Sequence, residues 1–183
     1  MIIPNKAIVI KYLTNGIIAP HGITDYIHAI DTNNKLQLNL VYLTTTSSCL
    51  YLDVMNQEFL INSIFILTSV VHFQRDFPVN DNNVRYFLTF FLLILSIEFN
   101  IDLLYLYMIF LHVPNHYKMN MDLLKKYAKE SIITISLCSS LFLLIGDKYD
   151  NIFYGELINF VKGIIISHIL YGELYIYREK IEN

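Results

Sequence analysis

Hydrophobic residues along this chain form six runs that are separated by short polar segments. The runs cover residues 36–54, 58–73, 84–98, 101–113, 130–146 and 152–177. Within the runs, apolar residues follow one another without the alternation of apolar and polar positions that marks a strand of a sheet or barrel. The pattern therefore predicts an all-α protein.

The length of the runs indicates where these helices lie. A helix needs about 20 mostly apolar residues, or about 17 at the short end, to cross the hydrocarbon of a bilayer. The runs at 130–146 and 152–177 meet this length. We therefore expect a polytopic transmembrane helical bundle of about six helices. No Gly-, Ser- or Pro-rich linker divides the chain, so residues 1–183 are expected to form a single domain.

The composition points in the same direction. Of the 183 residues, 55% are hydrophobic and 16% are charged, whereas a typical soluble domain has about 25% charged residues. An integral membrane protein with the lipid bilayer as its surroundings would account for this excess of apolar residues. The formal net charge of −3 provides no basic surface for nucleic acid, which we therefore exclude as a partner.

Basic residues predict the orientation in the membrane, because short cytoplasmic loops carry an excess of Lys and Arg. One group lies in the predicted loop 114–130, and a second follows the last apolar run. The residues are Lys118, Lys125, Lys126, Lys129, Arg178 and Lys180. We therefore expect a multi-pass protein with loop 114–130 and the C-terminus on the cytoplasmic side.

The histidines are the residues with the clearest chemical potential. They occur at positions 21, 28, 72, 112, 116 and 168, each at or inside an apolar segment. Because His112 and His116 are four residues apart, a helix would present both imidazoles on one face, as a metal ion requires. Pro114 lies between them and cannot donate a backbone hydrogen bond, so we expect a kink beside the pair.

Two further histidines are each followed by an aspartate four residues later. The pairs are His21 with Asp25 and His72 with Asp76. Metal-bound histidine usually donates its second N–H to such an acceptor, which fixes the orientation of the ring. The spacing therefore predicts a site with four imidazole ligands, a donor set that suits iron, copper or zinc rather than calcium or magnesium. Its residues are His21, His72, His112 and His116, with Asp25 and Asp76 as the acceptors.

A histidine in a helical bundle can also serve only to hydrogen-bond a neighbouring helix. Taken alone, His28 and His168 are better explained in this way. They are the weaker candidates for a ligand role.

Three histidine segments follow one another along the chain. They read Pro-His-Gly-Ile-Thr-Asp at 20–25, Ser-Val-Val-His-Phe at 69–73, with Asp76 beyond it, and His-Val-Pro-Asn-His at 112–116. In this order they resemble the histidine motifs of the Brp/Blh family. The members of that family are membrane-embedded β-carotene 15,15'-dioxygenases, which form retinal.

The resemblance implies a ferrous ion, Fe(2+), on His21, His72, His112 and His116, with Asp25 and Asp76 beside them. It further implies an enzyme that uses dioxygen to cleave the central double bond of β-carotene, or of a related carotenoid, into retinal. The expected partners are the carotenoid, O2, the bilayer and a rhodopsin as acceptor of the retinal.

Two other functions remain open at this point. The first is a membrane transporter or channel-like protein, in which the histidines and acidic residues form an ion path. Its acidic residues would be Glu98, Asp102, Glu156 and Glu173. The second is a non-catalytic membrane scaffold, whose histidines only join helices.

Overall fold

Helices make up most of the described part of the chain, with short turns and loops between them. The computed structural model describes residues 14–98, 101–148 and 158–176, and no strand occurs among them. The helical secondary structure thus agrees with the hydrophobic pattern. The predicted run 152–177 extends outside the described residues at both of its ends.

The α-helices, numbered in chain order, are α1 Ile23–Asp31, α2 Lys35–Val54, α3 Glu58–Phe73, α4 Asn82–Glu98, α5 Ile101–Tyr107, α6 Val113–Met119, α7 Met121–Lys126, α8 Ala128–Lys148 and α9 Ile158–Tyr171. Tighter 3-10 turns cover Ala19–Gly22 and Gln74–Asp76. Wider π-helical turns cover Thr14–Ile18, Met108–His112 and Gly172–Ile176. Two of these turns contain a histidine: Ala19–Gly22 contains His21, and Met108–His112 ends at His112. Turns of the π-helical type are frequent at functional sites.

Helix α9 packs against both α2 and α3, and one glycine sets how closely it approaches α2. A methyl group added at Gly163 would lie 3.1 Å from the Cα atom of Thr46 and 3.2 Å from the Cβ atom of Cys49. Beside it, the Ser167 hydroxyl donates to the carbonyl of Gly163 at 2.7 Å. His168 follows Ser167 on α9, so the close approach of α9 to α2 helps to position it.

Two apolar clusters hold the rest of the bundle together. The first contains Ala29 of α1, Leu38 of α2, Tyr171 of α9 and Ile176. The second contains Phe73 of α3, Leu93 of α4 and Tyr107 of α5. Because the second cluster adjoins the histidines, it fixes α3 and α5 beside the site.

The prediction of a polytopic transmembrane bundle is wrong. No helix in the described ranges combines the length and the apolarity that crossing a bilayer requires. Helices α3, α4 and α9 contain 16, 17 and 14 residues, fewer than the usual span of about 20. Helices α2 and α8 contain 20 and 21 residues, but α2 has a Thr/Ser tract at 44–48 and α8 has Lys129 and Glu130 in its first turn.

The predicted multi-pass localisation is contradicted by the same finding, and with it the orientation drawn from the lysines. Residues 114–130 are not a loop, because α6, α7 and the start of α8 occupy them. The Lys126 ammonium pairs with the carboxylate of Asp31, which joins α7 to the end of α1. Residues 177–183, for which a cytoplasmic side was predicted, lie outside the described part.

The excess of hydrophobic residues does not lie only in the core, and this is why it did not indicate membrane spans. Val54, Phe59 and Phe110 are 78%, 85% and 74% exposed. Apolar atoms contribute more than half of the accessible surface of an ordinary folded protein. The hydrophobic content of a run therefore does not by itself show which residues are buried.

The contact at Gly163 can be tested by substitution. We expect Gly163→Leu to lower the free energy of unfolding by about 1–3 kcal/mol, because the added side chain must push α9 away from α2. Gly16→Leu is the matched control, since a methyl group at Gly16 meets nothing within 4 Å. Chemical denaturation of both variants measures the difference, and equal stability would show that the approach of α9 to α2 is not a constraint.

Candidate metal centre

Five buried histidines from separate parts of the chain meet inside the bundle. Two lie in turns and three lie on helices: His21 in Ala19–Gly22, His112 at the end of Met108–His112, His72 on α3, His116 on α6 and His168 on α9. None of the five is more than 7% exposed. The fold thus removes five imidazoles from water in one place.

Four of these histidines are close enough together to bind a metal ion. One nitrogen each from His21, His112, His116 and His168 lie within 4.8 Å of one another. Two nitrogens bound to the same metal are at most about 4.2 Å apart, because each bond measures about 2.1 Å. Four nitrogens at these separations would surround one ion after a small inward movement of their side chains.

Three of the rings are oriented by hydrogen bonds on their outer side. The Nδ1 atom of His21 faces the carbonyl of Ile18. The Nδ1 atom of His112 is 2.7 Å from a carboxylate oxygen of Asp76. These contacts leave the Nε2 atoms to face the interior, since a neutral imidazole donates from one nitrogen and accepts at the other.

The third oriented ring is His168, whose Nδ1 atom is 2.9 Å from a carboxylate oxygen of Asp25. Within the described part of the chain, the buried Nε2 atoms of His21, His112 and His168 have no hydrogen-bond partner. Buried polar atoms without a partner are uncommon and require an explanation. A metal ion bound to all three atoms would supply it.

The local sequence explains how His112 and His116 come together. The π-helical turn Met108–His112 runs directly into α6, and Pro114 lies in the first turn of that helix. Proline is tolerated there because the first N–H groups of a helix have no intrahelical acceptor. The two imidazoles lie on one face with their ring centroids 4.6 Å apart.

The two carboxylates lie beside the cluster, but each contacts a different histidine from the one that its spacing predicted. Asp25 faces His168 rather than His21 and also accepts a hydrogen bond from the Tyr42 hydroxyl at 2.8 Å. The physical reason is a change of helix type: His21 lies in a 3-10 turn, whereas Asp25 lies on α1. Residues four apart share one helical face only within a continuous α-helix.

Asp76 shows the same effect at the other side of the cluster. His72 ends α3, and Asp76 belongs to the 3-10 turn that follows. Its carboxylate contacts His112 and accepts hydrogen bonds from the Tyr107 hydroxyl and from the amide of Asn115 at 3.3 Å. Asp76 thereby connects the end of α3 to the His112 segment.

His72 is oriented by a glutamate that the sequence did not identify as its partner. Its Nδ1 atom is 3.4 Å from the carboxylate of Glu173. The same carboxylate binds the guanidinium of Arg75 through both of its oxygens. The only sequence signal for this contact is that Glu173 follows His168 by five residues, which does not indicate His72.

The pKa values of His21, His72, His112 and His116 favour the neutral form that a metal ion needs. Burial lowers the pKa of His72 to about 3. Burial, together with neighbouring imidazoles, holds the pKa values of His21, His112 and His116 well below 6.5. A protonated imidazole cannot bind a metal through the nitrogen that carries the proton. Because these rings are neutral near neutral pH, they can bind a metal without first losing a proton.

The two acidic neighbours respond differently to their surroundings. Burial raises the pKa of Asp76, although the hydrogen bonds from Tyr107 and Asn115 act against this rise. Burial also acts to raise the pKa of Glu173, but hydrogen bonds from His72 and Arg75 outweigh it and lower this pKa. Glu173 is therefore an ionised acceptor for His72 near neutral pH.

The remaining candidates lie elsewhere or cannot be placed. His28 is buried apart from the four-nitrogen group, with its ring 6.3 Å from that of Tyr171. The side chains of Glu98, Asp102 and Glu156 lie outside the described residues. His168, predicted above as a weaker candidate, belongs to the four-nitrogen group.

Comparison of the chain with protein-family models, with curated proteins and with solved structures found no match. The resemblance to the Brp/Blh family therefore stays a prediction from the three histidine segments.

Metal content gives the first test of the site. After loading with Fe(II), Co(II) or Zn(II) under anaerobic conditions and desalting, we expect one metal ion per chain. His112→Ala should lose the bound ion because it removes an inward-facing nitrogen, whereas His28→Ala should retain it. Elemental analysis measures both variants, and equal metal content in them would contradict the assignment of the site.

The outer hydrogen bonds give a second test. We expect Asp25→Asn to weaken metal affinity by about 10–100-fold, because the His168 ring loses its charged acceptor. Asp31→Asn is the matched control on the same helix, since Asp31 pairs with Lys126 outside the cluster. Competition with a chelator measures the affinity. An Asp25→Asn variant that binds as tightly as Asp31→Asn would show that this contact does not support the site.

Proposed function

We propose that the histidine cluster binds ferrous iron and that the protein is an oxygenase acting on β-carotene or a related carotenoid. The reaction would split the central double bond of the polyene with O2 and yield retinal. One observation carries the proposal: the buried Nε2 atoms of His21, His112 and His168 converge without hydrogen-bond partners among the described residues.

The donor set favours a transition metal. Neutral imidazoles bind iron, copper and zinc, whereas calcium and magnesium prefer oxygen ligands. The two cysteines provide no thiolate here, because Cys49 packs against Gly163 and burial raises the pKa values of both Cys49 and Cys138. Among the metals that fit, ferrous iron is the one that the resemblance to the Brp/Blh family implies. A bound ferrous ion would supply the activation of dioxygen.

The chain itself would contribute orientation and the exclusion of water. Asp25 and Asp76 hold His168 and His112 with their Nε2 atoms directed inward. Charged acceptors of this kind fix the tautomer of a ligand and increase its basicity. Burial of all the rings removes competing water from the centre.

An apolar substrate fits the surroundings of His112. The Phe73 ring packs against the His112 ring with centroids 4.7 Å apart, and Phe73 also belongs to the apolar cluster with Leu93 and Tyr107. A polyene offers no hydrogen-bonding groups, so apolar and aromatic side chains would recognise it. In the overall reaction, one C=C bond breaks and two C=O bonds form, so both oxygen atoms are consumed and no reductant is needed.

A second function is favoured by the burial of the site. Structural metal sites are closed and use all their positions for protein ligands, whereas catalytic sites keep one position open. Since none of the five histidines is more than 7% exposed, the cluster also fits a metal that only stabilises the bundle. The protein would then be a metal-containing scaffold without catalytic activity.

Expression in a bacterium that accumulates β-carotene distinguishes the two functions. For an oxygenase, we expect the pigment to disappear and retinal to form, as quantified by chromatography. The double variant His112→Ala/His116→Ala should form none because it lacks two inward-facing rings, and His28→Ala should remain active. If the purified protein contains one metal ion per chain and yet no retinal forms, the scaffold function is supported and the oxygenase is rejected.

A further inference from the structure

His116 lies at the centre of the contacts among the five histidines. Its ring contacts the ring of every other member, with centroid distances of 4.6 Å to His112, 5.2 Å to His168, and 5.3 Å to both His21 and His72. The four neighbours therefore surround His116 on one side.

The four neighbours also form a closed ring among themselves. The ring centroids are 5.1 Å apart for His21 and His112, and 5.1 Å apart for His112 and His72. The ring closes through His168, whose centroid is 5.4 Å from that of His72 and 4.9 Å from that of His21. One member above a ring of four is the outline of a square pyramid.

From this arrangement we infer that the cluster binds one metal ion through five imidazoles, with His116 at the apex of a square pyramid. His21 then stands opposite His72 in the base, and His112 stands opposite His168. One position remains open, opposite His116, where a small exogenous ligand binds. The inference rests on metal binding by the cluster and not on the identity of the substrate.

Two distances between nitrogens support this geometry, whereas His72 lies outside the group of four whose nitrogens are within 4.8 Å of one another, so its ring must move inward to become the fifth ligand. The Nε2 atoms of His72 and His116 are 3.2 Å apart, which is the separation expected for two bonds of about 2.1 Å at an angle of about 100°. His112 and His168, which are opposite each other, have nitrogens within 4.8 Å. Opposite ligands in such a site are about 4.2 Å apart.

The short contact between His72 and His116 has one other explanation. His72 could lie behind His116 and accept a hydrogen bond from it, which would leave four ligands on the metal. In that case the buried Nδ1 atom of His116, which has no hydrogen-bond partner among the described residues, would be the nitrogen that binds the metal. The His72 ring approaches His112 and His168 as closely as it approaches His116, which favours a position in the ring of ligands, and the ligand count of His72→Ala separates the two explanations.

The outer partners support the same ligand set. The base histidines His72, His112 and His168 each direct Nδ1 at a carboxylate, from Glu173, Asp76 and Asp25 respectively. The fourth base histidine, His21, directs Nδ1 at the carbonyl of Ile18. All four base rings thus carry the outer acceptor that is typical of metal-bound histidine.

X-ray absorption of the Co(II)-loaded protein tests the inference, because scattering from the imidazole rings reports how many are bound. We expect five in the natural protein and four in both His72→Ala and His168→Ala. His28→Ala, which alters a buried histidine outside the cluster, should leave the count at five. Loss of affinity alone would not suffice, because an outer hydrogen-bond partner would lower it as well.

Addition of azide supplies an independent measurement on the natural protein. We expect one azide to bind per metal ion and to change the visible spectrum of the Co(II) form. Four imidazoles in the natural protein, unchanged by His72→Ala, would overturn the five-histidine site while leaving the proposed iron oxygenase intact. A protein that retains no Co(II) would overturn both proposals, and a lack of retinal alone would bear only on the proposed function.

Discussion

A buried ring nitrogen must have a partner, and this requirement governs how the histidines are arranged. Each imidazole of the base directs Nδ1 outward to an acceptor, and the inner nitrogens of His21, His112 and His168 are left without one among the described residues. Transfer of such polar atoms from water costs several kcal/mol when nothing replaces the lost hydrogen bonds. The fold concentrates this cost at one point, where a single metal ion would offset it for these three inner nitrogens.

The acceptors also connect parts of the chain that are far apart in sequence. Asp25 on α1 contacts His168 on α9 across 143 positions, and Asp76 contacts His112 across 36. The close approach of α9 to α2 at Gly163 makes the first of these contacts possible. Because the histidines come from the beginning, the middle and the end of the bundle, binding of a metal would be coupled to its folding.

The same site can serve catalysis or stability, and the difference lies in its open position. A site with four imidazoles in a closed tetrahedron has no room for a further ligand, whereas five imidazoles in a square pyramid leave one position. In the proposed site, the apolar side chains beside His112 would decide what approaches a bound metal. A polyene would suit them better than a polar substrate because it requires no hydrogen bonds.

The sequence by itself determined the helical secondary structure and the facing pair His112 and His116, since both depend on residues that are close in the chain. It misjudged the surroundings of the helices, because hydrophobic content does not show that Phe59 and Phe110 are exposed. Only the tertiary structure decided that His168 joins the cluster, and that Asp25 and Asp76 contact His168 and His112 instead of His21 and His72. The reason is that a spacing of four residues defines a shared face within one continuous helix, whereas contacts between helices depend on how the whole chain packs.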